Sequence, residues 1–443
     1  MKGSAFGCAR WLMIALILMT VPATHATWSI VMADTETHEI AVGTVTCLLD
    51  YDLLALVPVV VVGKGAAAVQ AAGDFSGARR PIIFEHLQLG TSPEEILQIV
   101  ADIPGHYSRQ YGIVDTTGGR ISFTGVSCTQ WAGGVVGTAG TLVYAIQGNI
   151  LAGDCVVPAI EGAILNTAGD IPVRLMAGME AARVTGGDGR CSCSTFYPTY
   201  CGCPPEDIFK SGHIGGMIVA RIGDADDDEC TAFGCADGDY FMRLNVPNQM
   251  IVSPDPVLQL QEQFGTWRAG LAGRADAVTS TVDVSPQPIL PDGMSTTTMF
   301  ITLLDWESDL IAVAVESLTV THAPDSAGLS TIGEVIDHDN GTYSVTISAG
   351  STAGTDRFHV TADDGIRPVV LMPDPSLTYY AFGDINCDGR RDFDDIDPFV
   401  LALSGEESYD AAFPNCNHLL ADCDRNGAVD FDDIDPFVAL LGS

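Results

Sequence analysis

The stretch Asp392-Phe-Asp-Asp-Ile-Asp-Pro-Phe-Val400 decides the fold of the C-terminal part of this 443-residue chain, because it recurs unchanged at Asp430–Val438. Each copy closes a twelve-residue acidic loop with glycine at its sixth position, Gly389 in the first loop and Gly427 in the second. Calcium takes six to eight oxygen ligands, and such a loop supplies them from positions 1, 3, 5, 7, 9 and 12. The repeat therefore predicts two calcium sites.

The candidate ligands are carboxylates, one amide in each loop, and one backbone carbonyl in each loop. They are Asp384, Asn386, Asp388, Arg390, Asp392 and Asp395 in the first loop, and Asp422, Asp424, Asn426, Ala428, Asp430 and Asp433 in the second. Position 7 needs only a carbonyl, so Arg390 and Ala428 are acceptable there. Apolar residues at helical spacing follow each loop and predict a helix. Residues 382–443 are thus expected to form a small, EF-hand-like helical domain.

A loop followed by a helix, occurring twice with no complete helix before the first loop, resembles the type I dockerin domain. This resemblance implies a fold that depends on calcium and docks onto a cohesin-bearing scaffold or cell-surface protein. Positions 10 and 11 are Phe393-Asp394 and Phe431-Asp432, where many dockerins carry small hydroxyl residues that contact the partner. The partner's identity stays open, as does the alternative of a calcium-stabilised module with no partner.

The net charge of −37 is partly explained by these loops, since residues 382–443 hold 15 acidic and three basic side chains. An acidic surface repels nucleic-acid phosphates and anionic membranes. The sequence has no basic patch and no nucleic-acid-binding motif, so we expect no nucleic-acid partner. With 47% hydrophobic residues, the chain can bury large cores in two to four domains.

Residues 1–26 have the features of a secretion signal. Lys2 and Arg10 supply positive charge, Trp11–Val21 is apolar but too short to span a bilayer, and small residues precede Thr27. We expect cleavage after Ala26, with cleavage after Ala23 as the alternative. The mature protein is then secreted, extracellular or held at the cell surface, with no membrane span.

Twelve cysteines remain once the signal is removed, and export places them in an oxidising compartment. Six of them cluster in sequence: Cys191, Cys193, Cys201, Cys203, Cys230 and Cys235. Two Cys-x-Cys pairs can ligate zinc, but structural zinc sites usually space their ligands more widely. Disulfides that hold an insertion at about residues 188–213 are therefore favoured over a zinc site.

Residues 275–380 are expected to be all-β, because short alternating strands are separated by Pro, Gly and Asp clusters. Asn340-Gly341 between two such runs predicts a β-hairpin. This segment is similar to the invasin type of bacterial immunoglobulin-like domain, a β-sandwich that serves as a spacer or an adhesion module.

Residues 27–273 mix strands with helices and carry the candidate chemistry. The patterns predict strands at 27–32, 40–47, 57–65, 111–115, 142–147 and 215–221, and helices at 96–103, 156–168, 171–184 and 256–267. Nucleophile elbows, zinc-protease motifs and phosphate-binding loops are missing. His86, His106 and His213 lack an evident nucleophile partner and are interpreted as structural.

Cleavage after Ala26 would make Thr27 the new N-terminus. An N-terminal threonine combines a hydroxyl nucleophile with its own α-amine as base, since that amine titrates near pH 7.7 to 8.0. The sequence also resembles the family called domain of unknown function 1028. The matching segments are Thr27–Val31, Gln110–Asp115, Thr124-Gly125 with Cys128, Trp131–Gly133, Gln147–Gly153 and the helix after Asp255.

This resemblance implies the N-terminal nucleophile hydrolase fold, a four-layer αββα sandwich over residues 27–273, with Thr27 as nucleophile and base. Gln147 and Asn149 offer amide donors of the kind that stabilise an oxyanion, although a simple turn after a strand explains them equally well. Cys128 is interpreted as a core thiol, with a disulfide or a site role as alternatives.

Two functions follow from these patterns. The first is a secreted amidohydrolase that cleaves a small amide or peptide substrate, still unidentified, through an acyl-Thr27 intermediate. The second is a non-catalytic extracellular scaffold or surface-binding protein. Such a protein would associate with polysaccharide-degrading assemblies.

Overall fold

A computed structural model describes residues 26–441, except 195, 196, 198, 200, 208, 209, 227, 228 and 312–314. All but the last residue of the predicted signal segment 1–26 lie outside the described residues. The described chain forms a large α/β region, a β-sandwich and a small helical region, in that order.

The α/β region contains ten strands and six helices among its described residues. The strands are β1 Thr27–Asp34, β2 Ile40–Thr46, β3 Pro58–Val61, β4 Gly65–Ala71, β5 Arg109–Asp115, β6 Arg120–Thr124, β7 Ala132–Ala139, β8 Leu142–Asn149, β9 Ile214–Ala220 and β10 Met242–Val246. The helices are α1 Arg80–Gln88, α2 Pro93–Ala101, α3 Val156–Asn166, α4 Ile171–Val184, α5 Gly189–Ser192 and α6 Pro256–Ala269.

Most of the predicted elements are present, with one clear correction. The single buried strand predicted at 57–65 ends early: β3 stops at Val61, the chain turns at Gly63, whose φ is +66°, and β4 begins at Gly65. A side chain is strained at that φ, so glycine permits the chain to reverse inside an otherwise continuous apolar run. The two strands then pair antiparallel.

Two antiparallel sheets organise the α/β region. The larger has the strand order β10-β9-β2-β1-β8-β7, and the smaller has the order β3-β4-β5-β6. Strand β1 lies in the middle of the larger sheet, with Trp28 opposite Val45 on β2 and Thr27 opposite Asn149 on β8. The predicted nucleophile therefore begins a central strand.

Side-chain alternation along β1 defines the layers, because successive residues of a strand point to opposite faces. Trp28, Ile30 and Met32 pack in one core with residues of α3, α4 and α6. Val31 and Ala33 pack in a second core with residues of β3 and β4, between the two sheets. Helices α1 and α2 cover the outer face of the smaller sheet. The layers are thus helix, sheet, sheet and helix, as the four-layer prediction expects.

Side-chain caps fix the starts of three of these helices. The Ser92 hydroxyl accepts a hydrogen bond from the backbone of Glu95 in α2, as in a capping box. Asp170 and Asp255 cap α4 and α6 in the same way, with N–H···O distances of 3.2 and 2.8 Å. Proline occupies the first or second position after each capping residue, where its missing N–H costs little.

The all-β prediction for residues 275–380 is confirmed. Its strands are β11 Thr281–Ser285, β12 Thr296–Thr302, β13 Ser317–His322, β14 Thr331–Asp337, β15 Thr342–Ser348, β16 Gly354–Asp363, β17 Pro368–Val370 and β18 Ser376–Tyr379. One sheet has the order β11-β12-β15-β14, and the other consists of β13, β16, β17 and β18. The predicted Asn340-Gly341 turn joins β14 to β15 as a hairpin.

A buried ion-pair cluster joins the α/β region to the β-sandwich. Arg221, just after β9, contacts Glu39 at 2.6 Å and Asp276 at 2.8 Å. Its guanidinium also lies 3.6 Å from the centroid of the Phe241 ring. All three charged side chains are nearly fully buried. Because Asp276 belongs to the sandwich, the cluster fixes one region against the other.

The C-terminal region contains the short helices α7 Ile396–Leu403, α8 Glu406–Ala412 and α9 Ile434–Leu441. The two helices that follow the acidic loops stack Phe399 on Phe437 with ring centroids 4.2 Å apart. A disulfide between Cys387 and Cys416 adds a covalent link. Within the described part of the chain, no helix has the length and apolar character needed to cross a membrane.

Candidate functional site

The structure brings the three candidate catalytic residues onto one face of the larger sheet. Thr27 and Asn149 are directly opposite each other in the β1–β8 pair, and Gln147 is opposite Ser29. The alternation of core residues places these side chains on the face that looks toward the smaller sheet. Thr27 is 3% exposed, so the site lies at a buried strand end.

Asn149 contacts the backbone nitrogen of Thr27. The Thr27 N–H donates to Asn149 Oδ1 at 3.2 Å, across a pair of residues separated by 122 positions in sequence. The sequence predicts that Asn149 is an amide donor to an oxyanion, and this stays a prediction. In the structure its side-chain oxygen accepts a hydrogen bond from the nitrogen that cleavage after Ala26 would convert into an amine.

Two glutamines of the smaller sheet support the backbone around Thr27. Gln70 on β4 donates to the carbonyl oxygen of Thr27 at 2.8 Å and to Gln110 Oε1 at 3.0 Å. Gln110 on β5 in turn donates to the carbonyl oxygen of Gly148 at 2.7 Å. Gln70 also accepts a hydrogen bond from Ser29. This buried polar network joins both sheets and fixes the start of β1 against the end of β8.

Gln147 lies deeper between the sheets than Thr27 and Asn149. Its side chain is fully buried, and both amide atoms are without a hydrogen-bond partner among the described residues. The space it occupies exists because residue 112 is glycine, since a Cβ built there would lie 2.2 Å from Gln147 Oε1. An unsatisfied buried amide is costly and rare. Gln147 is therefore available to a polar group that enters the space between the sheets.

The carbonyl oxygen of Ala26 is held by two donors that the sequence did not single out. Thr46 donates its hydroxyl to this oxygen, and Arg190 Nη2 donates to it at 3.0 Å. Ala26 itself is fully buried. Thr46 ends β2, and Arg190 lies in α5, so the two donors reach Ala26 from segments 144 residues apart.

Arg190 is positioned by Asp188 and by a disulfide. The fully buried Asp188 carboxylate accepts from Arg190 Nη2 at 2.7 Å and from the backbone of Cys47 at 2.7 Å. Cys47 and Cys191, which directly follow Thr46 and Arg190, form a disulfide with a Cα–Cα distance of 5.8 Å. The sequence signal that could have revealed these donors is their adjacency to cysteines, but the pairing of those cysteines is not deducible from sequence.

Disulfides hold the predicted insertion at about 188–213. Cys155 pairs with Cys203 and Cys193 with Cys201, whereas the pair Cys230–Cys235 lies outside the insertion. Cys47, Cys191 and the His213 ring lie close enough together to suggest a metal site, but the two sulfurs are bonded to each other. This cluster therefore offers no free thiolate to a zinc ion.

Cys128 and His213 stay uncharged near neutral pH. Burial raises the pKa of the Cys128 thiol, whose sulfur contacts the carbonyl oxygen of Arg109 at 3.4 Å. Burial, with the positive charge of Lys210, lowers the pKa of His213 to about 4. His106 stacks on Phe123 with centroids 4.2 Å apart, as a structural histidine does. These environments are consistent with the structural roles predicted for Cys128, His106 and His213.

The acidic loops of the C-terminal region contain the predicted calcium ligands. In the second loop, ligand oxygens of Asp422, Asp424 and Asp433 all lie within 4.8 Å of one another. In the first loop, Asp384 Oδ1 is buried without a hydrogen-bond partner. Burial, with the charges of Asp395 and Asp388, raises the pKa of Asp384 to about 6. These donors fit a hard cation, which would satisfy the orphaned oxygen and offset the repulsion.

The remaining candidate ligands lie around the same two loops. The turn glycines Gly389 and Gly427 have φ of +88° and +95°, and their N–H groups donate to Asp384 and Asp422. Asp395 and Asp433, at position 12, accept backbone hydrogen bonds from their own loops. The other predicted ligands, Asn386, Asp388, Arg390, Asp392, Asp424, Asn426, Ala428 and Asp430, are exposed or half-buried along the same loops.

The two copies expose equivalent apolar side chains. Phe393 and Phe431 are each 77% exposed, and Val400 and Val438 are each 59% exposed. Because equivalent residues of the two copies are equally exposed, the two repeats present equivalent surfaces.

Comparison with known proteins divides the chain as the fold does. Residues 27–197 match the family model described as "Family of unknown function (DUF1028)". Residues 276–367 match the model "Invasin, domain 3". These matches support the predicted α/β and immunoglobulin-like regions. No functionally curated protein is similar in sequence to the chain.

Several solved structures are similar to parts of the chain. The protein SPO2555 from Silicibacter pomeroyi, described with the DUF1028 family model, has 19% identity over 54% of this chain and 88% of its own, with a TM-score of 0.38. The Yersinia pseudotuberculosis adhesin InvE has 24% identity over 23% of this chain and 26% of its own, with a TM-score of 0.19. Invasin, a bacterial integrin-binding protein, has 11% identity over 80% of this chain and 60% of its own, with a TM-score of 0.19.

Proposed function

We propose that residues 27–273 form a secreted N-terminal nucleophile amidohydrolase in which removal of residues 1–26 activates Thr27. The observation that carries this proposal is the hydrogen bond from the Thr27 nitrogen to Asn149 Oδ1 at the buried start of β1. An amine freed there has a fixed acceptor beside it and can act as a base near neutral pH. The helix–sheet–sheet–helix layers, and a family match that starts at Thr27, support the same assignment.

In this reaction the Thr27 hydroxyl attacks the carbonyl carbon of a small amide or peptide substrate. The α-amine takes the hydroxyl proton and passes it to the departing amine, which leaves an ester on Thr27 Oγ. Water then attacks the ester by the same route and releases the acid. The low exposure of Thr27, beside a disulfide-held insertion, favours a small acyl group.

The mature protein tests this proposal with an activated ester, p-nitrophenyl acetate, as the probe. We expect p-nitrophenol release together with acetylation of the peptide that starts at Thr27. Thr27→Ser should retain the reaction, and Thr27→Ala, which keeps an N-terminal amine but lacks the hydroxyl, should lose it. Equal acetylation of Thr27→Ala would contradict a hydroxyl nucleophile.

We propose further that the C-terminal region binds calcium through its two loops and anchors the protein outside the cell. Asp384, Asp422 and Asp433 would hold the ions, which would neutralise the crowded carboxylates. The exposed pairs Phe393/Phe431 and Val400/Val438 would then contact a cohesin-bearing or other cell-surface partner. This role positions the enzyme and leaves its chemistry to the α/β region.

Calcium titration of the full chain tests this second part. We expect calcium to stabilise the C-terminal region against unfolding, and so to raise its unfolding temperature, by about 2.7 kcal/mol for each loop at a calcium concentration a hundred times the Kd of that loop. The double variant Asp384→Ala/Asp422→Ala should lose this stabilisation. The matched double variant Asp394→Ala/Asp432→Ala, at exposed positions outside the ligand set, should retain it. Loss in both, or in neither, would refute the ligand assignment.

A second candidate function is surface binding without catalysis. The match of residues 276–367 to an invasin domain favours this role for the β-sandwich. In that case the α/β region is a structural unit, and the partner is a scaffold or surface protein, including one of a polysaccharide-degrading assembly. The absence of Thr27 acetylation in correctly processed protein would favour this candidate over the enzyme.

A further inference from the structure

The Ala26 carbonyl marks the position of an acyl group bound to Thr27. In the uncleaved chain, Ala26 acylates the nitrogen of Thr27, and its carbonyl oxygen accepts from Thr46 Oγ1 and Arg190 Nη2. The nitrogen and the hydroxyl of Thr27 belong to the same residue, separated by two carbons. An acyl group on the hydroxyl can therefore place its carbonyl oxygen where the Ala26 oxygen lies.

We propose that Thr46 and Arg190 form the oxyanion hole of this enzyme. They would donate to the oxygen that becomes negatively charged when Thr27 Oγ attacks an acyl carbon. This inference rests on the proposed function, and it replaces Asn149 as the oxyanion donor. Asn149 contacts the Thr27 nitrogen, whereas Thr46 and Arg190 contact a carbonyl oxygen attached to that nitrogen.

The charge of Arg190 suits this role. The Arg190 side chain is 14% exposed, and its guanidinium is paired with the fully buried carboxylate of Asp188. Preorganised donors in a site with little water stabilise a developing negative charge more than mobile ones do. Because Asp188 neutralises the resting pair, the hole favours an uncharged acyl group over a carboxylate at the same position.

The Cys47–Cys191 disulfide holds the two donors in register. Thr46 and Arg190 immediately precede the two bonded cysteines, and Arg190 Nη2 also donates to Thr46 Oγ1 at 3.3 Å. No other described covalent link joins β2 to α5. The disulfide therefore makes the geometry of the hole depend on an oxidising environment, which suits a secreted enzyme.

The step balances without any further reactant. Thr27 Oγ forms a bond to the acyl carbon, and the carbonyl electron pair moves onto the oxygen held by Thr46 and Arg190. The Thr27 amine accepts the hydroxyl proton. Collapse of the intermediate restores the carbonyl, breaks the bond to the leaving group and returns the proton to it. Water repeats the sequence to free Thr27.

Acylation by p-nitrophenyl acetate measures the contribution of each donor. Arg190→Gln and Thr46→Val should each lower the rate of Thr27 acetylation by about a hundredfold, the usual effect of losing one oxyanion donor. The matched controls are Arg183→Gln, which removes a half-exposed arginine paired with Glu180, and Thr116→Val, which removes a buried hydroxyl bonded to the Gly63 carbonyl. Both controls should react at the rate of the unmodified protein.

Folding is checked separately, because Arg190 and Thr46 also support their surroundings. The unfolding temperature and the intact Cys47–Cys191 disulfide, measured by peptide mapping, must match those of the unmodified protein. Where Arg190→Gln fails this check, Arg190→Lys, which keeps the charge at a different reach, takes its place and should still slow acetylation at least tenfold.

The outcomes separate this inference from the proposed function. Slower acetylation in folded variants, with unchanged controls, supports the oxyanion hole. Acetylation of Thr27 at an unchanged rate in both donor variants overturns the hole and leaves Thr27 as nucleophile. No acetylation of Thr27 in the unmodified, correctly processed protein overturns both.

Discussion

The backbone nitrogen of Thr27, at the start of β1, lies 3.2 Å from Asn149 Oδ1, at the end of β8. Removal of residues 1–26 would convert this nitrogen into an amine beside the Asn149 side chain. A neutral acceptor at this distance holds an amine without strongly raising its pKa. A carboxylate there would favour the protonated amine. In the proposed enzyme, the identity of residue 149 would therefore set the pH at which the Thr27 amine acts as a base.

Asn149→Asp tests this relationship with little change of shape. A nearby opposite charge raises the pKa of the amine. We therefore expect the pH at which the rate of Thr27 acetylation rises to shift upward by about one pH unit. A pH–rate profile of p-nitrophenol release measures the shift. Asn166→Asp, at the exposed end of α3, is the control and should leave the profile in place. An unshifted profile for Asn149→Asp would contradict the contact.

Gly112→Ala should disturb the space that holds Gln147. The added Cβ would lie 2.2 Å from Gln147 Oε1 and 2.6 Å from its Cδ, so the amide must move. We expect a loss of about 1–3 kcal/mol in the free energy of unfolding, the usual effect of overpacking. Urea denaturation measures it.

Gly265→Ala is the matched control for that substitution. It lies in helix α6 with no atom within 4 Å of the added Cβ. Alanine is preferred to glycine inside a helix, so this change should stabilise the protein by about 0.5–1 kcal/mol. Equal effects at the two positions would show that the predicted clash at Gly112 does not occur.

His213 should make the α/β region sensitive to acid. Burial lowers its pKa to about 4 from 6.5, and the neighbouring charges are Lys210, Asp188 and Arg190. Because the unfolded chain binds a proton near pH 6.5 and the folded chain only near pH 4, stability falls as the pH drops through this window. The loss is at most about 3 kcal/mol.

Unfolding by urea at neutral pH and at about pH 4.5 measures this effect. His213→Gln should reduce the difference in unfolding free energy between the two conditions, because it removes the titrating group. His338→Gln, at an exposed position of the β-sandwich, should leave the difference unchanged. A His213→Gln protein that is as acid-sensitive as the unmodified one would contradict the assignment.

Arg221→Met should destabilise the junction between the α/β region and the β-sandwich. The substitution leaves Glu39 and Asp276 buried without their partner, which costs about 3–5 kcal/mol. Arg243→Met, which breaks a pair with Asp237 that is one-third exposed, should cost at most about 1 kcal/mol. Calorimetry measures both. Similar small losses would show that the junction does not depend on Arg221.

The sequence predicted the elements of this fold better than its site. Continuous apolar runs and capping residues were sufficient for β1, β8 and α4, because local chemistry decides those segments. Strand β7 was missed, since three of its eight residues are glycine and carry no strand preference. The turn at Gly63 was hidden inside an apolar run.

The site depends on contacts between distant segments. Thr27 could be proposed from the predicted cleavage and from family resemblance, and the β1–β8 register places Asn149 beside it. No sequence motif marks Thr46 or Arg190, because a disulfide between cysteines 144 residues apart brings these two residues together. Gln147 was predicted as an oxyanion donor, and the structure shows it buried between the sheets without a described partner.

The N-terminal sequence of the secreted protein tests the central claim most directly. The account predicts that the mature chain starts at Thr27, so that its nitrogen is a free amine beside Asn149. A chain that starts at Thr24, with the peptide Thr24-His-Ala26 still attached, would leave that nitrogen as an amide and contradict the proposed enzyme.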